Sequence, residues 1–169
     1  MEVPMTTRML LLADTHVPKR ARRLPDAVLR AIDDAEIVVH AGDWVDVETL
    51  DLIESRSREF HGVYGNNDGA DLRARLPEVA RFSVEDVRIA VVHETGSATR
   101  REHRLDEAFP DIDLLVFGHS HIPWDTRAPS GMRLLNPGSP TDRRRQPVCT
   151  LMTVVIDGAA IDATLVPVT

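Results

Sequence analysis

Five short apolar segments of this chain end in residues that commonly bind metal ions. The segments are LLLADTH (10–16), IVVHAGD (37–43), VYGNND (63–68), IAVVHE (89–94) and LLVFGHSH (114–121). Short runs of aliphatic and β-branched residues are typical of buried strands, so the polar residues fall where each predicted strand gives way to a loop. Apolar burial gives no reason for carboxylate, amide and imidazole groups to recur there, whereas a shared cation does.

Seven side chains from these segments are the candidate metal ligands. They are Asp14, His16, Asp43, Asn66, His93, His119 and His121. The five predicted strands would deliver these groups to one edge of a sheet. Mixed nitrogen and oxygen donors of this kind suit Mn, Fe, Ni, Co or Zn, so the identity of the metal stays open.

Two of the segments carry their candidate ligands two positions apart. Side chains at i and i+2 of an extended backbone project to the same side, so Asp14 and His16 could reach one ion. His119 and His121 have the same spacing, and two imidazoles that face one way are costly to bury without a partner. Imidazole is also the commonest protein ligand for transition metals. Taken alone, Asp-Thr-His is more often a turn after a strand, whereas the His119–His121 pair favours metal binding by itself.

The remaining candidates, Asp43, Asn66 and His93, indicate a metal site only when all the segments are considered together. Gly-Asp at 42–43 and Gly-Asn-Asn-Asp at 65–68 are ordinary turn sequences when taken alone, and a lone histidine such as His93 is more often a core residue. Their joint occurrence at the ends of five successive strands favours two metal ions that share the Asp43 carboxylate. Two ions about 3.5–4 Å apart clamp a phosphoryl group and lower the pKa of a bridging water.

Composition limits the remaining function classes. A chain of 169 residues fits one domain, 1–169. The net charge of −7 disfavours bulk binding to nucleic acid or to an anionic membrane, and no apolar run approaches the length needed to span a bilayer. The N-terminus does not resemble a signal peptide, and the single Cys149 fits a reducing cytoplasm. We expect a cytoplasmic protein, and homo-oligomer formation is left open.

The order of predicted elements indicates an α/β fold. Strands near 8–13, 37–41 and 59–64 alternate with helices over 25–35 and 47–55, which is typical of βαβ units and a parallel sheet. The second half is rich in strands: a hairpin over 81–94, a helix over 101–109 and further short strands after 114. Helices outside and two sheets inside would give a layered α/β sandwich.

The ordered motifs D-x-H, G-D, G-N-x-D, H and G-H-x-H resemble those of the calcineurin-like metallophosphoesterase superfamily. The similarity spans residues 14–121 and extends to NPGS at 136–139. The short chain, without insertions between motifs, is most similar to the small YfcE-type phosphodiesterases of bacteria and archaea. The resemblance implies a four-layer α-β-β-α sandwich, in which two mixed β-sheets are flanked by helices and the metals lie at strand carboxyl ends.

The resemblance also implies a role for each candidate ligand. Asp14, His16 and His121 would hold one divalent ion, Asn66, His93 and His119 the other, and Asp43 would bridge them. Mn²⁺ is favoured, with Zn, Fe, Ni or Co as alternatives. The implied reaction is attack of a metal-bridging hydroxide on a small phosphodiester, with Asp43, Asn67 and His93 as the catalytic residues.

Two positions depart from the pattern of many relatives. Asn67 stands where many carry a histidine that assists the substrate or leaving group, and asparagine cannot deliver a proton at neutral pH. Glu94 stands where glycine is common, and its charge could narrow the pocket or repel an anion. Arg100, Arg101 and Arg104 fit a solvated face by default, although an arginine near two metals could hold a phosphate oxygen.

Two other functions stay open. A subunit of the eukaryotic retromer complex has this fold with a compromised metal centre and works through protein contacts, so a binding scaffold is one alternative. The other is a phosphomonoesterase, which Asn67 disfavours because poor leaving groups benefit most from an acid. The complete set of seven ligands favours the enzyme over the scaffold.

Overall fold

The computed structural model of the protein describes residues 6–169. In chain order, the elements of this part are β1 Thr7–Leu12, α1 Asp26–Asp34, β2 Ile37–His40, α2 Val47–Arg56, β3 Glu59–Gly62, α3 Ala70–Arg75, β4 Val79–Val84, β5 Val87–Val92, α4 Arg101–Ala108, β6 Leu114–Val116, β7 Trp124–Arg127, β8 Arg133–Asn136, β9 Cys149–Asp157 and β10 Ala160–Val168. None of these helices is long and apolar enough to cross a bilayer.

The strands form two five-stranded sheets. The first has the order β10-β9-β1-β2-β3 and the second the order β4-β5-β6-β8-β7. Strands β1, β2 and β3 run parallel, β9 pairs antiparallel with β1, and β10 pairs antiparallel with β9. In the second sheet β5, β6 and β8 run parallel between the antiparallel edge strands β4 and β7. Both sheets are therefore mixed, as predicted.

The main core lies between the two sheets because their strands are apolar on both faces. In β1, Met9 and Leu11 point to the second sheet, where they join Val91 and Val116 in one buried cluster. Burial of one such aliphatic side chain contributes about 1.5–3 kcal/mol. This alternation fixes the register of β1, because a shift by one residue would exchange its two faces.

The helices cover the outer faces of both sheets. Leu10 of β1 joins Ile32 of α1 and Ile53 of α2 in a second cluster on the outer face of the first sheet. Leu105 of α4 packs with Leu134 of β8 in a third cluster, on the outer face of the second sheet. The result is the four-layer α-β-β-α sandwich, so the predicted fold class is confirmed.

The predicted helices over 25–35, 47–55 and 101–109 agree with α1, α2 and α4 to within one residue at each end. The start of α2 has a clear cause, because the Asp46 side chain accepts a hydrogen bond from Thr49 N at 2.9 Å and so caps the helix. The sequence reading missed α3, which is six residues long. Such a short helix presents too few turns for an apolar stripe to be recognised.

The strands that carry the candidate ligands belong to two sheets and not to one. Strands β1, β2 and β3 lie in the first sheet, and β5 and β6 lie in the second. The expectation of a single sheet edge is therefore wrong. The loops after these strands still meet, because the two sheets pack face to face. Gly118, after β6, lies so near the loop after β1 that a Cβ added to it would be 3.1 Å from Asp14 Oδ2.

Candidate metal centre

Three buried side chains form the first group of candidate ligands. Asp14 and His16 lie in the loop after β1, and His121 lies in the loop after β6. One potential ligand atom from each lies within 4.8 Å of the others. The Nε2 atoms of His16 and His121 lie 3.9 Å and 3.7 Å from Asp14 Oδ1. A single ion placed among them could contact all three side chains.

A second group lies beside the first. Asp43, His93 and His119 again offer ligand atoms within 4.8 Å of one another. Asn66 joins them, because its Oδ1 lies 2.8 Å from His93 Nε2 and 3.1 Å from His119 Nδ1. This group combines one carboxylate, one amide oxygen and two imidazoles, a donor set suited to a transition-metal ion.

The Asp43 carboxylate connects the two groups. Its Oδ2 lies 3.5 Å from His16 Nε2 in the first group and 3.4 Å from His93 Nε2 in the second. The structure therefore brings all seven sequence-predicted ligands into one cluster, with Asp43 between the two halves.

The backbone at these residues is not extended. The φ angle is 57° at Asp14, 45° at His16, 74° at His119 and 62° at His121. The expectation that an extended i, i+2 spacing aligns each pair is therefore wrong. Each ligand lies in a left-handed turn that Asp and His adopt more readily than most residues.

Hydrogen bonds between two loops hold the first of these turns. Asp14 N donates to Gly42 O at 2.9 Å, and His16 N donates to Asp43 O at 3.1 Å. The loops after β1 and β2 are thereby tied together at the site, which sets the distance between the Asp14 and Asp43 carboxylates.

Two glycines allow the backbone to approach the Asp43 loop. A Cβ at Gly65 would lie 2.1 Å from Asp43 Oδ1 and 2.4 Å from Asp43 N. A Cβ at Gly42, where φ is 96°, would lie 2.8 Å from His93 Nδ1. No side chain fits at either position without displacing Asp43 or His93.

The hydrogen bonds of two imidazoles leave their other ring nitrogens available to a cation. His93 Nδ1 lies 2.8 Å from Ala41 O and His121 Nδ1 lies 2.6 Å from Asp142 O, and a carbonyl only accepts, so both Nδ1 atoms donate. In a neutral ring, Nε2 then carries a lone pair. The Nε2 atoms of His16 and His121 are buried without a hydrogen-bond partner among residues 6–169. A histidine that binds a metal ion usually donates its other ring N–H to a carbonyl or carboxylate, so this arrangement fits a metal site.

The charges of the cluster also suit cations. Burial raises the pKa of Asp14 to about 8, opposed by His93 and assisted by Asp43. Burial acts to raise the pKa of Asp43 too, but the neighbouring His93 imidazole and the hydrogen bonds from Asn67 outweigh it and lower that pKa. Burial lowers the pKa of His121 to about 4. The two carboxyl groups thus share a buried site in which ionisation of Asp14 is disfavoured and the His121 imidazole stays neutral. A divalent ion would supply the positive charge that stabilises both carboxylates there.

Comparison with known proteins identifies the family. The model of the calcineurin-like phosphoesterase superfamily domain matches residues 7–159, which include all seven candidate ligands. The chain belongs to the calcineurin-like phosphoesterase superfamily. This superfamily is metal-dependent, in agreement with the two groups of donor atoms.

Several known proteins are similar to the chain over nearly its whole length. A probable metallophosphoesterase of Methanothermobacter thermautotrophicus is 33% identical over 159 residues, which cover 92% of this chain and 90% of the relative. The solution structure of Thermotoga maritima protein TM1076 is 35% identical, with a TM-score of 0.75 and coverage of 95% and 99%. Zn²⁺-complexed Vps29 from Entamoeba histolytica shares the fold at 23% identity, with a TM-score of 0.75 and coverage of 96% and 99%.

Asp68, the last residue of the G-N-x-D motif, has a role in the site that was not predicted from the sequence. Its buried carboxylate accepts hydrogen bonds from four backbone N–H groups, those of Asp43 (3.0 Å), Trp44 (2.8 Å), Val45 (2.8 Å) and Gly65 (2.7 Å). The loop that carries Asp43 is therefore anchored to the loop that carries Asn66. The motif was the available signal, but a Gly-Asn-Asn-Asp sequence is equally typical of an exposed turn.

Asn67 also supports the Asp43 carboxylate. Its backbone N donates to Asp43 Oδ1 and its side-chain Nδ2 donates to Asp43 Oδ2, each at 2.9 Å. The Asn67 side chain, next to Asn66 in the motif, therefore donates a hydrogen bond to the candidate ligand Asp43.

Two arginines of the segment after His93, Arg101 and Arg104, make contacts with other residues of the fold. The Arg101 guanidinium is buried 4.9 Å from the Phe117 ring and 4.5 Å from the Trp124 ring, where cation–π contacts hold it. Arg104 donates to Thr95 O at 2.9 Å. Neither contact involves a candidate ligand, so the idea that this segment holds a phosphate gains no support. Glu94 does lie near the centre, with Oε1 3.7 Å from His119 Nε2.

Proposed function

We propose that the protein is a metal-dependent phosphodiesterase with two divalent ions per chain. Asp14, His16 and His121 would hold one ion and Asn66, His93 and His119 the other, with Asp43 shared. The observation that carries this proposal is the position of Asp43 Oδ2, 3.5 Å from His16 Nε2 and 3.4 Å from His93 Nε2. One carboxylate oxygen between two groups of lone-pair donors is the arrangement that a two-ion site requires.

The protein's own residues orient the donors. The carbonyls of Ala41 and Asp142 fix the tautomers of His93 and His121, so that Nε2 of each ring is free to bind. Asn67 fixes both oxygens of Asp43. When bound, two divalent ions supply Lewis-acid activation of the phosphoryl group and a lowered pKa of coordinated water.

The absence of an acid at position 67 limits the substrate class. Asn67 has no proton to give at neutral pH, so the departing oxygen must leave without general-acid help from this residue. Phosphodiesters with acidic leaving groups need such help least. We therefore favour phosphodiesters over phosphomonoesters. Among the divalent ions we favour Mn²⁺ over Zn, Fe, Ni or Co.

A protein-binding scaffold is the second candidate. A Vps29 of Chaetomium thermophilum with this fold was solved in complex with a cyclic peptide, and an Entamoeba histolytica Vps29 was solved with Zn²⁺. Metal binding alone therefore does not distinguish an enzyme from a scaffold. Turnover does, and the complete pair of donor groups in this chain favours the enzyme.

Removal of metal should abolish hydrolysis reversibly. We expect chelator-treated protein to lose activity on bis(p-nitrophenyl) phosphate and to regain it with Mn²⁺. The rate on p-nitrophenyl phosphate should be lower, and the two rates can be compared directly because both substrates release the same leaving group. Release of nitrophenolate and metal content by mass spectrometry provide the measurement. A metal-loaded protein that hydrolyses neither substrate would favour the scaffold, and a clear monoester preference would contradict the diesterase.

Replacing Asn67 by Ala should weaken metal binding with little effect on the fold. The variant loses the Nδ2 donor to Asp43 Oδ2 and keeps the backbone donor to Oδ1. Loss of an outer hydrogen-bond partner of a metal ligand costs about 10–100-fold in affinity or activity, and we expect a loss in that range. Equilibrium dialysis with Mn²⁺ measures it, and the melting temperature of the metal-free protein serves as the control. Unchanged metal affinity in a folded variant would show that Asn67 does not support Asp43.

A further inference from the structure

A cleft of about 260 Å³ opens beside the second donor group. Asn66 and His93 line it, so the cleft is continuous with the candidate metal centre. Tyr64, Arg73, Glu78 and Glu94 line it as well. A substrate whose phosphorus lies at the centre would therefore place one of its substituents here.

Tyr64 and Arg73 form a flat wall whose position is fixed. The Arg73 guanidinium lies 4.6 Å from the centre of the Tyr64 ring. Arg73 Nε donates to Asp68 O at 2.9 Å, and Asp68 also anchors the Asp43 loop. The wall and the candidate centre are thus held by the same residue, which keeps the cleft in register with the site.

Two glutamates give the cleft a net negative charge. Glu94 Oε1 lies 3.7 Å from His119 Nε2, and the exposed Glu78 forms no ion pair among residues 6–169. Against these two carboxylates stands the single guanidinium of Arg73. Like charges a few ångströms apart near a protein surface repel each other, although salt screens the repulsion in part. A second anionic group on the substrate would be repelled from this cleft.

The same charge indicates which part of the substrate the cleft holds. Negative charge develops on the leaving oxygen as the phosphoester bond breaks, and the carboxylates of Glu78 and Glu94 would oppose that charge. The retained substituent gains no charge in the reaction. The cleft therefore suits the retained substituent better than the leaving group.

We propose that this cleft binds the retained arm of a phosphodiester and selects an uncharged or cationic arm over an anionic one. Glu78 and Glu94 are then specificity-determining residues, because their carboxylates set the charge that the arm meets. A cationic arm gains most, because the carboxylates of Glu78 and Glu94 attract it. This inference rests on the proposed phosphodiesterase function.

The test uses three substrates that share one leaving group. Each is a p-nitrophenyl phosphodiester, and the retained arm is choline, thymidine or a short alkyl chain that ends in a carboxylate. We expect kcat/KM of the Mn²⁺-loaded protein to decrease in that order, with the difference mostly in KM. The variants are Glu78→Gln, Glu78→Gln combined with Glu94→Gln, and Glu107→Gln as the matched control on the exposed face of α4.

Glu78→Gln should raise kcat/KM for the carboxylate arm relative to thymidine several-fold, and the double variant should raise it about tenfold, which corresponds to about 1.4 kcal/mol. Glu107→Gln should leave the ratio unchanged. Metal content is measured for each variant, so that loss of an ion is not mistaken for a change in selectivity.

The outcomes separate this inference from the proposed function. Wild-type protein that hydrolyses none of the three esters with metal bound overturns the phosphodiesterase and this inference together. Hydrolysis of all three with ratios that neither glutamate substitution alters overturns only the assignment of the cleft. A preference for the carboxylate arm in the wild type also overturns it, and would assign Arg73 as an anion-binding residue.

Discussion

Replacing Asp43 by Ala is expected to remove metal from the protein and to lower phosphodiester hydrolysis by more than about 100-fold. Loss of an outer partner of a metal ligand already costs about 10–100-fold, and Asp43 is the carboxylate that faces both donor groups. We expect fewer than two ions per chain, and excess Mn²⁺ should not restore the rate. Metal analysis by mass spectrometry and the rate on bis(p-nitrophenyl) phosphate are the measurements.

Two further variants make this result specific. Asp43→Asn keeps the size of the side chain and removes its charge, so it should lose activity as Asp43→Ala does. Asp51→Asn removes an exposed carboxylate that pairs with Arg75, and exposed pairs contribute at most about 1 kcal/mol, so this control should keep wild-type activity. Full activity and two ions per chain in Asp43→Ala would show that Asp43 is not a shared ligand.

The fold and the members of the site could be predicted because both depend on local sequence patterns. Apolar strands followed at once by Asp, Asn or His predicted that these polar groups leave the core together. The layered architecture followed from alternating strands and helices. The assignment of the five strands to two sheets was missed, since strand pairing depends on contacts distant in sequence.

The backbone of the site could not be predicted from the same patterns. Asp14, His16 and Asp43 have φ angles of 57°, 45° and 62°, in a region where glycine is the usual residue. Each non-glycine residue there costs of the order of 1 kcal/mol or more, and such residues persist where surrounding contacts hold them. Those contacts come from other loops, so no local pattern at positions 14–16 or 43 indicates them.

Asp68 supplies the contacts that hold the Asp43 loop. Its carboxylate accepts the N–H groups of Asp43, Trp44, Val45 and Gly65 at 2.7–3.0 Å. Two non-glycine residues of this loop have positive φ angles, 62° at Asp43 and 85° at the β-branched Val45. A β-branched residue in that region is strained, so the loop needs an anchor to keep its shape.

Replacing Asp68 by Ala should therefore destabilise the protein and weaken metal binding. Each buried N–H left without an acceptor costs about 1–3 kcal/mol, and water in the vacated space recovers part, so we expect a loss of roughly 3–5 kcal/mol. For a chain of this size each kcal/mol lowers Tm by about 2–4 °C. Thermal unfolding of the metal-free protein measures the first effect, and dialysis with Mn²⁺ measures the second.

The pattern of rescue distinguishes an anchor from a ligand. In Asp68→Ala the seven donor groups remain, so excess Mn²⁺ should restore part of the activity, whereas in Asp43→Ala a donor is lost and no rescue is expected. Asp68→Asn keeps one acceptor oxygen and should fall between Asp68→Ala and the wild type. Asp71→Ala, an exposed carboxylate in the first turn of α3, is the matched control and should change Tm by little. An Asp68→Ala protein with wild-type Tm and metal affinity would mean that the Asp43 loop keeps its shape without this carboxylate, and the assigned role of Asp68 would be wrong.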